Sequence, residues 1–113
     1  MKILIADDNA SFRSLLRLIL AQVTSDIFEC ASGQAAIEVY EREHPDLVFM
    51  DLRMAPMDGL AATRAIVSCD RAARVVIVSS FDDEALREAA HNAGALAYAT
   101  KDDLSLLNEY LPV

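Results

Sequence analysis

Three short, unbroken apolar runs constrain what this chain can fold into: Ile3-Leu4-Ile5, Leu47-Val48-Phe49-Met50 and Val75-Val76-Ile77-Val78. Continuous apolar runs of this kind are expected of strands covered on both faces. An amphipathic helical stretch follows each of them. After the first strand, Lys2–Ala6, Asn9 can cap a helix that sets Phe12, Leu15, Leu16, Ile19, Leu20 and Val23 on one stripe of 3.6-residue period. Arg13, Arg17 and Gln22 fall on its opposite face.

A weaker strand is expected at residues 26–31, and Ser32 caps a helix to about residue 43. His44-Pro45 ends that helix, because the residue before proline is pushed out of the α region. A third helix covers 59–68. Asp82 is read as the cap of a fourth, with Phe81 and Leu86 as its hydrophobic staple and Asn92-Ala93-Gly94 as its stop. An alanine-rich strand at 95–99 and a short fifth helix at 102–111 complete the pattern. Strands alternating with helices imply a five-stranded parallel sheet with helices on both faces, a three-layer α/β sandwich.

The 113 residues are 54% apolar, enough for one domain with its own core over 1–113. The net charge of −8 disfavours nucleic acid and anionic membrane surfaces as direct partners. No apolar run approaches the roughly 20 residues needed to span a bilayer, and acidic residues come too early for a secretory signal. Cys30 and Cys69 lack metal-ligand spacing and read as free thiols, so a cytoplasmic location is expected.

Connections between parallel strands must cross over, so all strand C-termini share one edge, where ligands of such sheets bind. The residues placed there are Asp7 and Asp8, Asp51, Ser79 and Lys101. Helix capping alone could explain any one of the acids, but it explains the five together far less well. Three neighbouring carboxylates repel, which raises pKa values or calls for a cation. Mg²⁺ suits one or two carboxylates plus water and phosphate oxygen. Asp8 and Asp51 fit as direct ligands, Asp7 through water, and the Arg53 backbone carbonyl as a further oxygen. A carboxylate can also be the nucleophile toward phosphorus. Lys101 and Ser79 could then receive the phosphoryl oxygens.

The ordered set Ile3-Leu4-Ile5-Ala6-Asp7-Asp8, residues 46–54 with Asp51, Met57-Asp58-Gly59, residues 75–80 and Gly94, Tyr98 and Lys101 resembles the receiver domain of bacterial two-component response regulators. The resemblance runs end to end and implies the flavodoxin-like (CheY-like) fold, strand order 2-1-3-4-5 with five helices. It implies Asp51 as phosphoacceptor from a histidine kinase, and Asp7 with Asp8 as Mg²⁺ holders. Ser79 and Tyr98 are then the switch pair and Lys101 the phosphate-binding lysine. The α4-β5-α5 face, made by the fourth helix, fifth strand and fifth helix, is expected to act on an output partner, output domain or second copy. Arg53 and Phe81, each two residues past a site residue, are expected to shield the phosphoryl group. The Asp-Leu-Arg-Met stretch and the Lys101-Asp102 step are similar to the LuxR/NarL/FixJ-type subgroup, which implies a transcriptional output.

There are departures from that pattern. Alanine stands at position 55 with proline at 56, Ser80 occupies a site that is commonly alanine, and Asp102 follows Lys101 where many receivers have cis-proline. A cis bond at 101–102 without proline would cost about 3 kcal/mol, so a trans bond is expected. Three rival readings remain. A degenerate receiver would act without phosphorylation, but its signature, a missing acid or lysine, is absent. A Mg²⁺-dependent aspartyl phosphohydrolase would want an acid where Arg53 stands. An FMN carrier on the same fold would not place Asp7-Asp8-Asn9 against a phosphate. The expectation is therefore a phosphoacceptor rather than a turnover enzyme. His44 and His91 have no ligand partners and read as surface residues near helix ends.

Overall fold

The computed structural model describes residues 1–112. Its elements in order are β1 (Lys2–Ala6), α1 (Ala10–Leu20), β2 (Asp26–Cys30), α2 (Gly33–Glu43), β3 (Leu47–Met50), α3 (Gly59–Cys69), β4 (Val75–Ser79), α4 (Glu84–Asn92) and β5 (Ala97–Thr100). A 3-10 turn follows at Ser105–Glu109. All strand pairings are parallel and the order is β2-β1-β3-β4-β5, as expected.

The unbroken apolar runs are the inner strands. Every residue of β3 is at most 1% exposed, and full burial of such a side chain contributes about 2 kcal/mol. Alternate strand residues feed two cores. Leu4, Val48, Met50, Val75 and Ile77 pack with α2, α3 and α4, through Ala36, Val39, Tyr40, Ala62, Ile66 and Ala90. Ile3, Ile5, Leu47, Phe49, Val76 and Val78 pack with Leu16 and Leu20 of α1 and with Leu107 of the 3-10 turn.

The caps follow the physical expectations at two helices. Asn9 Oδ1 accepts the Phe12 N–H at 3.0 Å, and Ser32 Oγ accepts that of Ala35 at 3.1 Å. His44 closes α2 with a left-handed backbone, φ 46°.

Several details differ from the sequence expectations: α1 ends at Leu20, short of Val23, and the last strand is shifted to Ala97–Thr100. There are four α-helices, and the expected fifth is only the five-residue 3-10 turn. Asp103 Oδ1 accepts both the N–H and the hydroxyl of Ser105, at 3.2 and 2.6 Å, a local turn that competes with an α-helical start. The cap of α4 is Asp83, whose Oδ1 accepts the N–H groups of Ala85 and Leu86, while Asp82 instead bonds Arg87 at 2.8 Å. With the frame moved by one residue, Phe81 no longer holds the staple position toward Leu86. Phe81 is 43% exposed, and its ring lies under Arg53. On α1, Leu15 and Ile19 are exposed rather than part of the core, as is Leu18. The Lys101–Asp102 bond is trans as expected, and the cis bond among the described residues is Ala55–Pro56.

Candidate functional site

The rim residues are held by backbone hydrogen bonds that carry the sheet ladder one step past each strand. Asp7 N–H donates to the carbonyl of Cys30, the last residue of β2, at 3.0 Å, Asp51 N–H to Ala6 O at 2.9 Å, and Lys101 N–H to Ser79 O at 2.8 Å. The acid and base positions are thus fixed by the strands rather than by mobile loops. Gly59 lets α3 start directly against this edge. A Cβ there would lie 1.8 Å from the Asp51 carbonyl oxygen, so only glycine fits. Its N–H donates to Leu52 O at 2.9 Å.

Asp7, Asp8 and Asp51 each offer a carboxylate oxygen within 4.8 Å of the others. Asp7 and Asp51 are buried and Asp8 is exposed, which leaves one open side. Lys101 Nζ lies 2.8 Å from Asp7 Oδ2 and 3.7 Å from Asp51 Oδ1. One ammonium against three carboxylates leaves a net negative pocket. Burial pushes the Asp51 carboxyl up to about 6, and the Asp7 charge adds to the rise. Lys101 and the Leu52 N–H pull it back, and Asp8 adds a smaller push upward. A cluster of hard oxygen donors with uncompensated charge and one open side fits a divalent cation that keeps some of its waters.

The other expected residues are distributed around this cluster. Ser79 is 1% exposed, and its Oγ accepts the Phe81 N–H at 3.1 Å. Tyr98 is also buried, and its hydroxyl donates to the Phe81 carbonyl at 2.6 Å. Ser79 and Tyr98 therefore do not touch through a bond of their own. They hold the N–H and the C=O of the same residue. The Arg53 guanidinium lies 4.4 Å from the Phe81 ring centroid. Arg53 also lines a groove of about 540 Å³ that begins at Asp8 and continues along Leu52, Met54, Ala55 and Leu86. His44 and His91 are exposed.

Three contributors escaped the sequence reading. Arg13 Nη1 donates to the Asp7 carbonyl at 2.6 Å, while its Nε pairs with Glu29 at 3.1 Å. The Arg87 guanidinium covers the Tyr98 ring at 4.7 Å, and the Lys101 ammonium lies 4.5 Å from the Phe12 ring centroid. Only Phe12 carried a signal, as an aromatic one turn into the helix that follows Asp7-Asp8. Helical periodicity assigned it to the core.

Comparison with known proteins agrees with this geometry. The family model described as response regulator receiver domain matches residues 3–111. The chain is 37% identical over 100 residues to the chemotaxis protein CheY of Halobacterium salinarum, covering 88% of this chain and 83% of that protein. It is 40% identical over 101 residues to the transcriptional regulatory protein PdtaR of Mycobacterium tuberculosis, covering 88% of this chain but 49% of PdtaR. A LuxR-family two-component response regulator from Aurantimonas sp. superimposes with a TM-score of 0.86 at 30% identity, covering 95% of this chain and 79% of that one. Chemotaxis and transcriptional relatives match about equally well, so the family is defined and the subgroup within it is not. The chain belongs to the receiver domain family of two-component response regulators.

Proposed function

We propose that Asp51 accepts a phosphoryl group from a histidine kinase and that the domain works as a switch rather than a turnover enzyme. The observation that carries this reading is the buried Asp51, beside two further carboxylates and a single ammonium. An ionised Asp51 oxygen attacks the phosphorus of a phosphohistidine. The P–O bond forms as the P–N bond breaks, and the imidazole leaves with the electron pair. Asp7, Asp8, Asp51 and the Arg53 carbonyl would hold Mg²⁺, which supplies positive charge against the carboxylates and the phosphoryl oxygens. Lys101 turns its ammonium from Asp7 to one phosphoryl oxygen, and the Ser79 hydroxyl donates to another.

The readout follows from the bonds on Phe81. Ser79 Oγ gives up the Phe81 N–H when it moves to the phosphoryl group, which frees the residue whose carbonyl anchors Tyr98. Arg87 covers the Tyr98 ring, so the change reaches α4 and the α4–β5 face. That face would act on an output domain, a protein partner or a second copy. A transcriptional output is the reading favoured by the LuxR-type Asp-Leu-Arg-Met and Lys101-Asp102 features, and a cytoplasmic location accompanies it. No helix among the described residues is long and apolar enough to cross a membrane. Arg53 stands where a hydrolase would carry a second acid, and its stack on Phe81 favours storing the phosphoryl group over releasing it.

Incubation with acetyl phosphate and Mg²⁺ followed by intact mass tests the proposal. One added phosphoryl, absent in Asp51→Asn, is expected. A wild-type mass unchanged under both acetyl phosphate and phosphorylated histidine kinase would overturn it.

A further inference from the structure

Lys101 presents a physical problem. Its long, flexible side chain loses considerable rotamer freedom when fixed at one point, and lysine binds as a mobile point charge rather than a rigid fork. Its position here rests on three partners: Asp7 at 2.8 Å, Asp51 at 3.7 Å and the Phe12 ring at 4.5 Å. The two carboxylates are also the groups that a divalent cation would engage. A cation held by this cluster, directly by Asp51 and through water by Asp7, would draw on the same carboxylates as Lys101 and repel its ammonium. The Phe12 face is uncharged, offers no oxygen to a metal and attracts the ammonium through its quadrupole. It is the one contact of the three that makes no use of a carboxylate in the cation cluster.

We propose that Phe12 is a positioning residue for Lys101: its ring keeps the ammonium over the acid pocket when a cation occupies the carboxylate cluster, ready for an incoming phosphoryl oxygen. This rests on the phosphoacceptor reading of Asp51. The position of Phe12 suits the role. It lies one turn into α1, whose start is fixed by the Asn9 cap bonded to the Phe12 N–H itself at 3.0 Å. Its ring is only partly buried and packs at the margin of the core beneath the rim, so one face is available to the ammonium. Lys101 is 17% exposed, so its charge is largely withdrawn from water, the condition in which a cation–π contact is strongest. Simple core packing would also place an aromatic at this point, and the test must separate the two roles.

Lys2 and Lys101 are the only lysines, so each gives an assignable set of side-chain resonances and Lys2 serves as an internal reference. In wild type, the Lys101 Cε protons should be shifted upfield of those of Lys2 by the ring current. The shift should persist as Mg²⁺ is added. Phe12→Leu keeps apolar bulk but should abolish the shift, and Phe12→Tyr should restore it. Affinity for beryllofluoride, a phosphoryl mimic, measured with Mg²⁺ should fall roughly three- to tenfold in Phe12→Leu and recover in Phe12→Tyr, the range expected for one cation–π contact. A Lys101 resonance without an upfield shift overturns the proposal, as does a shift that disappears on Mg²⁺ addition. Equal beryllofluoride affinity in wild type and Phe12→Leu also overturns it while leaving the phosphoacceptor reading intact. Absence of beryllofluoride binding in wild type would instead remove the phosphoacceptor reading, and the role of Phe12 with it.

Discussion

Replacing Asp51 by asparagine should stabilise the metal-free protein. The carboxyl rises from 3.8 to about 6 because it is buried beside Asp7. A rise of roughly two units at 1.36 kcal/mol each corresponds to a cost of about 3 kcal/mol for holding Asp51 ionised in the folded state. The folded state binds this proton more tightly than the unfolded chain does. The cost is therefore complete above about pH 6, shrinks as pH falls through that value, and is gone near pH 4. Asparagine keeps the shape without the charge, so a gain of about 1–3 kcal/mol is expected at pH 8. For a domain of this size that is roughly 4–12 °C in Tm. Thermal melts of both proteins in EDTA from pH 8 to pH 4 read this directly. The two curves should converge toward acid pH, and Mg²⁺ at pH 8 should narrow the gap by stabilising the wild type more than the variant, which lacks one of the three carboxylates. A variant that melts at or below wild type at pH 8, or a gap that does not depend on pH, would refute the electrostatic reasoning.

Three further outcomes follow from local geometry. Asp83→Ala should cost about 1 kcal/mol in urea unfolding, and Asp82→Ala less, because only Asp83 caps α4; equal losses would contradict the cap assignment. Gly59→Ala should cost about 3 kcal/mol or more, since the new Cβ meets the Asp51 carbonyl oxygen; a variant as stable as wild type would show that the α3 start can shift. Arg53→Asn removes the stack on Phe81 and should shorten the half-life of the phosphorylated protein; an unchanged decay would rule out shielding.

Much of this molecule could be read from its residues, for identifiable reasons. Leu47–Met50 and Val75–Val78 are apolar without interruption because both faces of β3 and β4 are covered. The shared edge of a parallel sheet implies that Asp7, Asp8, Asp51 and Lys101 converge, and they do. What the residues did not reveal is mostly a matter of frame and reach. Asp82 and Asp83 are the same residue type side by side, and only the path of the chain decides which carboxylate reaches the Ala85 N–H. Leu15, Leu18 and Ile19 flank the core side of α1, and hydropathy cannot say how wide the covered strip is. The final segment carries Leu104, Leu107 and Leu111 at helical spacing, yet the Asp103–Ser105 turn sets it into a 3-10 path. Contacts of Arg53, Arg87 and Lys101 with aromatic rings depend on long side chains crossing between elements, which no spacing along the chain encodes.

The central claim concerns one atom: a carboxylate oxygen of Asp51 bonded to phosphorus. Borohydride reduces an acyl phosphate to the alcohol and so marks the acceptor as homoserine. After incubation with a phosphorylated histidine kinase and Mg²⁺, reduction and peptide mass analysis should find homoserine at position 51, with Asp7 and Asp8 unchanged. Homoserine at position 7 or 8, or a phosphoryl-bearing protein with no reduced residue at 51, would contradict the account.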